Sequence, residues 1–193
     1  MTEQHKFMKH FISIFIMIFI GSVQAEDFGS CGYPPKKTEK YQYPEWEVFD
    51  RCASYDFGVL RISQEHRKRL HFGTEELAVF FTSGQYFYVK SDGRFLPVMF
   101  YDNGADYFRE GLTRSQKNGK IEFYNMHFEL VLSPNYDWVW PFHEGRALVC
   151  NGCVLTPMED GHQALEGGLW GYINKKGEEV VPVKYKSSEL PRQ

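Results

Sequence analysis

A short pattern recurs three times along this chain, and the recurrence limits the fold more than any single segment does. The openings Glu76-Leu77-Ala78, Glu110-Gly111-Leu112-Thr113 and Glu144-Gly145-Arg146-Ala147 lie 35 and 34 positions apart, counted from Leu77 to Leu112 and from Leu112 to Arg146. Each leads through a strand and a turn to Tyr88-Val89, Phe123-Tyr124 or Tyr172-Ile173. An apolar strand then ends in Pro97, Pro134 or Pro182, and Tyr101, Tyr136 or Tyr185 follows. The first two units close on Phe108 and Phe142, just before the Glu-Gly pairs that contain Gly111 and Gly145. Asp92-Gly93 and the Asn174 to Gly177 stretch sit between apolar runs, where glycine accepts a positive φ, and both predict hairpin turns.

A meander this short cannot bury both of its faces, so successive units must stack or extend one sheet. The expected fold is therefore all-β. About three tandem meander or hairpin repeats, at 75–109, 110–143 and 144–187, build an extended or curled antiparallel sheet, and a tail covers 188–193. Recurring Tyr, Phe and Val supply the core, and each Pro takes a strand end where a missing N–H costs little. The third unit carries an insertion at 151–166, read as a loop. Helix signals are scarce; the best covers 63–70, with Ser63 as N-cap and Glu65 in the first turn.

The last unit, Gly168-Leu169-Trp170-Gly171-Tyr172-Ile173-Asn174-Lys175-Lys176-Gly177-Glu178-Glu179-Val180-Val181-Pro182-Val183-Lys184-Tyr185, resembles the WG-repeat family. Units of that family read Gly-Lys-Trp-Gly-Tyr-Ile-Asp-x-x-Gly-x-x-Val-Ile-Pro-x-x-Tyr-Asp, followed by Phe-x-Glu-Gly-Leu-Ala. Ile121-Glu122 replaces Trp-Gly in the middle unit, and the first unit is more distant again. The resemblance covers about 75–187 and leaves the N-terminal extension, 26–74, outside. It implies an all-β module that presents an interaction surface, and it brings no shared catalytic residues, cofactor or metal.

Lys6 and Lys9 precede an apolar run at 11–20, and small residues lead to Ala25. This is the pattern of a secretory signal peptide over 1–25. Ten helical residues reach about 15 Å, half of a bilayer core, so no stable membrane span is expected after cleavage. An exported chain permits disulfides, and the four cysteines, Cys31, Cys52, Cys150 and Cys153, allow three pairings. Joining neighbours, Cys31 to Cys52 and Cys150 to Cys153, is the simplest. With 22 basic against 25 acidic side chains, the chain has no overall basicity to hold nucleic acid.

Cys150-Asn151-Gly152-Cys153 has redox-dithiol spacing, but it follows a strand rather than opening a helix, which favours a structural disulfide. Adding His143 and His162 would complete a Cys₂His₂ set in an order unlike common zinc modules. Asp102, Asp106, Glu110, Asp137 and Glu144 offer carboxylates for hydrolysis, yet most recur at equivalent repeat positions, as turn chemistry requires. The run Arg67-Lys68-Arg69, with Lys36, Lys37 and Lys40, reads as a solvated basic face. Tyr33, Pro34, Pro35, Tyr41, Tyr43, Pro44 and Trp46 crowd the extension, which is expected to cover an open sheet edge. The functional expectation is an exported, non-catalytic protein, periplasmic or secreted, that binds an envelope macromolecule through a repeat face or the 151–166 insertion. An inhibitor or immunity-type protein that blocks an enzyme is the alternative; a thiol-redox protein using Cys150 and Cys153 comes third.

Overall fold

A computed structural model describes residues 27–36, 45–73, 75–159 and 163–191. The segment 1–25, expected to be a signal peptide, along with Lys37, Lys40, Tyr41, Tyr43, Pro44 and His162, lies outside the described residues. Each repeat unit forms a three-stranded antiparallel meander. The first is β4 (Leu77–Thr82), β5 (Gln85–Lys90) and β6 (Phe95–Val98). The second is β9 (Leu112–Lys117), β10 (Lys120–Asn125) and β11 (Leu130–Leu132), and the third is β13 (Arg146–Pro157), β14 (Gln163–Asn174) and β15 (Glu179–Tyr185). Three further strands lie in the links: β7 (Phe100–Tyr101) pairs with β8 (Gly104–Ala105), and β12 (Trp138–Val139) pairs with β13.

The units stack instead of merging into one sheet. Leu112, Ile121, Phe123, Val139, Phe142, Val149 and Ile173 come from the second unit, its following link and the third unit, and form one buried cluster. Backbone bonds help the stacking: Met99 N–H donates to Arg114 O (3.0 Å) and Trp140 N–H to Leu148 O (2.9 Å), so each link seats itself on the next meander.

Turn chemistry repeats along with the strands. Glu110-Gly111 and Glu144-Gly145 have φ of 50°, 83°, 49° and 75°, two residues in the left-handed region closing a tight hairpin. Ser83-Gly84 and Asn118-Gly119 close the first hairpins of units one and two in the same way. Between second and third strands, Asn125 Oδ1 accepts from His127 and Glu129 N–H (2.9 and 3.0 Å), and Asn174 Oδ1 accepts from Lys176 and Glu178 N–H (2.9 and 3.1 Å). Phe128, at φ 65°, stands where Gly93 and Gly177 stand in the other units.

Tyr88, Phe123 and Tyr172 pair across the meander with Leu96, Leu132 and Val181. Immediately before Tyr172, β14 and β15 shift register at Gly171. A Cβ there would lie 2.9 Å from Pro182 O and closer still to Val181 O, so the strand cannot carry a side chain at this point. The first unit pairs regularly at the equivalent place, Phe87 opposite Pro97, and accommodates a fully buried phenylalanine. The Trp-Gly pair is thus tied to a bulge that only some units contain. Pro97 and Pro182 lie inside β6 and β15 rather than at their ends, a correction to the expectation above. β6 and β15 are the outer strands of their sheets, where a proline can leave its missing donor unpaired.

Among the described residues, the extension contributes three strands and one helix. β1 (Gly29–Tyr33), β2 (Glu47–Asp56) and β3 (Val59–Ile62) join the first meander in a six-stranded sheet ordered β3-β2-β1-β4-β5-β6. β1 lies along the open edge of β4, Cys31 opposite Thr82 and Gly32 opposite Phe81. The β2–β3 hairpin escaped the sequence reading because its turn is Phe57-Gly58, with an exposed phenylalanine at φ 51° where Asn or Asp is usual. Helix α1 (Gln64–Arg69) starts at Ser63, whose Oγ accepts from His66 N–H (3.4 Å). His66 is buried and its Nδ1 lies 2.8 Å from Tyr33 Oη. Cys31 and Cys52 are bonded, with Cα atoms 5.6 Å apart. His66 lies beside this bridge, but two sulfurs bonded to each other offer no thiolate to a metal.

Between the first and second units lies a buried ion pair that the sequence reading missed. Asp106 and Arg114 side chains are each 1% exposed, with Arg114 Nη2 2.6 Å from Asp106 Oδ1. Arg114 Nη1 donates to Val139 O (2.8 Å) and Arg114 N–H to Asp106 Oδ2 (2.7 Å), while Tyr88 Oη–H donates to Asp106 O (2.9 Å). Burial and the Asp106 carboxylate push the Tyr88 phenol up to about 12.

Two predictions follow from this geometry. Gly171→Ala lowers unfolding free energy by about 2 kcal/mol or more, read by denaturant titration, because backbone must move to admit the methyl. Asp106→Leu or Arg114→Met alone costs about 3–5 kcal/mol by leaving a buried charge unpaired. The double variant Asp106→Leu with Arg114→Met recovers much of that loss, and a strictly additive result would show that the two groups act separately.

Candidate functional site

Over its described residues, the insertion at 151–166 is not a loop. β13 and β14 run on past the sheet as a two-stranded ribbon, paired from Arg146 with Asn174 through Pro157 with Gln163. The reason lies in its own sequence: Val154, Leu155 and Thr156 favour extended backbone, and Glu166, Leu165 and Ala164 return opposite them. Val154, Leu155 and Met158 on this arm, and Leu169 at its foot, are 62%, 43%, 50% and 46% exposed, a concentration of apolar surface in a short ribbon.

At its foot the arm is braced. Gly152 and Gly168, at φ 75° and 68°, sit opposite each other and bend both strands. A Cβ on Gly168 would lie 2.6 Å from Asn151 O and Cys153 N, so the strands meet there without side chains. Cys150 and Cys153 span the bend as a disulfide, with Cα atoms 6.1 Å apart and little exposure. Gly152 N–H donates to Asp137 Oδ2. Trp170 is mostly buried, donates from Nε1 to Gly167 O (2.7 Å) and packs 5.4 Å from Trp140. Beside the arm, Leu155 and Gln163 face Tyr86, Phe100, Gln116 and Trp138 across a groove of about 640 Å³.

The sequence-derived residues divide between scaffold and arm. Tyr88, Phe123, Phe142 and Ile173 are buried, and Tyr124, Phe108 and Tyr172 are partly so. Tyr101 lies with its ring 5.0 Å from the Arg114 guanidinium, and Tyr136 Oη–H donates to Glu179 Oε1 (3.2 Å). Burial and Glu179 raise the Tyr136 phenol. Pro134 is buried in the link before β12, and Tyr185 pairs across from Trp170.

Three of the five carboxylates considered for hydrolysis are engaged separately. Asp106 holds Arg114, and Asp137 holds the Gly152 amide. Glu110 accepts from Lys175 Nζ (2.8 Å) and Gly145 N–H (3.0 Å), which keeps its carboxyl below the usual range. Cys150 and Cys153 are bonded to each other, which removes both thiolates from the Cys₂His₂ set. Replacing both with Ala should lower stability by about 2 kcal/mol, the chain-entropy value for so short a loop. It should also speed amide exchange selectively in the arm; unchanged exchange at 153–157 would mean that the ladder and its bends hold the arm unaided.

A model of the WG containing repeat matches residues 123–152 and 170–189. No curated protein and no solved structure matches the chain. The first match runs from the aromatic strand of the middle meander through β12 to the foot of the arm, and the second covers the bulged Trp-Gly strand and β15. Among the described residues, no helix is long and apolar enough to cross a membrane. The middle and last meanders thus carry WG repeats.

Proposed function

We propose that this protein is an exported, non-catalytic binding module that engages an envelope macromolecule with the 151–166 arm and the groove beside it. The observation that carries this reading is the arm itself: an apolar ribbon extending past its sheet, held at the foot by a disulfide and by facing glycines. Such stiffness lowers the entropy lost when a partner closes over Val154, Leu155 and Met158. Placement in the envelope rests on the signal-like N-terminus and the two disulfides. A projecting braced element also suits an inhibitor that inserts into an enzyme cleft, and the partner's identity separates the two readings. The thiol-redox reading is weaker because both sulfurs are nearly inaccessible, which slows exchange with a substrate thiol.

The test compares the mature protein with a triple variant, Val154→Ser, Leu155→Ser and Met158→Ser, in capture from envelope extract. The variant should keep the parent's thermal midpoint and bind the captured partner at least about tenfold more weakly. Undiminished capture would sink the arm as the contact surface. A single enzyme lost from the captured set, with its activity restored, would select the inhibitor reading.

A further inference from the structure

A second concavity, of about 310 Å³, lies away from the arm groove, between the Glu-Gly turns that open the second and third units. Its walls are aromatic, from Tyr101, Trp140 and Tyr172, and it is edged by Arg109 and Arg146. We propose that this cleft binds a carboxylate carried on a six-membered ring, as in a sugar acid or an aromatic acid. The proposal goes beyond the arm-based reading, and its test does not use the arm.

The repeat shows what is unusual here. Arg146 stands where the second unit has Leu112 and the first has Leu77. Leu112 is buried at 8% exposure, whereas Arg146 is exposed at the cleft. The third unit has therefore exchanged an apolar side chain for a guanidinium at its first strand position. Arg109 occupies the residue before the Glu-Gly turn of the second unit, and the hairpin bonds of both turns fix the backbone beneath each arginine. Arg109 N–H donates to Leu112 O (2.8 Å), and Arg146 N–H donates to His143 O (3.1 Å).

Neither guanidinium has a carboxylate partner among the described residues, where the ion pairs are Arg94 with Asp92, Arg114 with Asp106 and Lys175 with Glu110. Arg109 touches one ring, Tyr107, at 5.9 Å. Glu110, next to Arg109 in sequence, is already occupied by Lys175 and the Gly145 amide. Glu144 is the acidic residue lining the cleft, so two guanidiniums against one carboxylate leave one positive charge in excess. One carboxylate balances it; a phosphate dianion does not. A planar guanidinium fork matches a carboxylate edge to edge, and the three aromatic faces suit a flat ring. The volume falls at the lower end for small-molecule sites and has room for about one substituted ring.

Isothermal calorimetry on the full mature chain tests this with four probes: glucuronate, benzoate, glucose and inorganic phosphate. At least one of the two carboxylates should bind saturably, with glucose and phosphate at least about tenfold weaker. Which carboxylate binds separates a sugar source from an aromatic one. Arg109→Met and Arg146→Met should each weaken binding about tenfold or more at an unchanged thermal midpoint, and Lys117→Met, outside the cleft, should not. Arg146→Lys should fall between, since it keeps the charge and loses the fork. The proposal is overturned if neither carboxylate binds, if phosphate or glucose binds as well, if both arginine variants retain full affinity, or if Lys117→Met weakens binding equally.

Discussion

Water is excluded from the salt bridge that joins the first two meanders, and the way the units stack depends on it. Asp106 and Arg114 sit where β8 leads into β9, and their contacts extend to β5 through Tyr88 and to β12 through the Val139 carbonyl. Two charges in so dry a place are tolerable only when each is paired and hydrogen-bonded on every side. That demand constrains relative placement, because a small rotation of one unit would strand a charge. The apolar cluster around Phe123, Phe142 and Ile173 is less directional; it holds the units together but does not by itself set their angle.

Hairpin turns supply the second constraint. Their tight corners put non-glycine residues, Glu110, Glu144, Ser83, Asn118 and Phe57, at positive φ, each followed by glycine. Such corners match the twist of the flanking strands and fix register, so the inward face of each meander stays inward. With register secured, individual units can vary. The third opens at Gly171 to form a bulge and runs β13 and β14 outward into the arm. It also replaces a buried leucine position with Arg146. Variation is concentrated in the third unit because the common turns and core already hold the scaffold.

Much of this was legible in the residues. Period, strand order within each unit, the buried aromatic positions and the helix cap at Ser63 follow from local rules, and neighbouring cysteines are joined as the simplest scheme expects. What escaped did so for identifiable reasons. Phe57-Gly58 puts an aromatic residue where turn chemistry looks for Asn or Asp, which concealed the β2–β3 hairpin. Gly152, Pro157 and Gly161 interrupt the strand signal of 151–166, yet 151–157 and 163–166 pair as a ribbon. Asp106 looked like one member of an acidic set because its partner, Arg114, lies eight positions away with no local pattern connecting them.

The sequence by itself determined that the chain is an all-β array of three related units, since hydrophobic period and turn residues act within a few positions of one another. Only the tertiary structure decided how those units meet, which edge the extension occupies, and where an exposed arm and an arginine-edged cleft appear. These depend on contacts between residues distant in the chain: a buried ion pair, the β1 strand laid along β4, and Arg109 brought to the same cleft as Arg146. Periodicity carries no information about such pairs, because burial and charge balance are set by the neighbours that folding brings together.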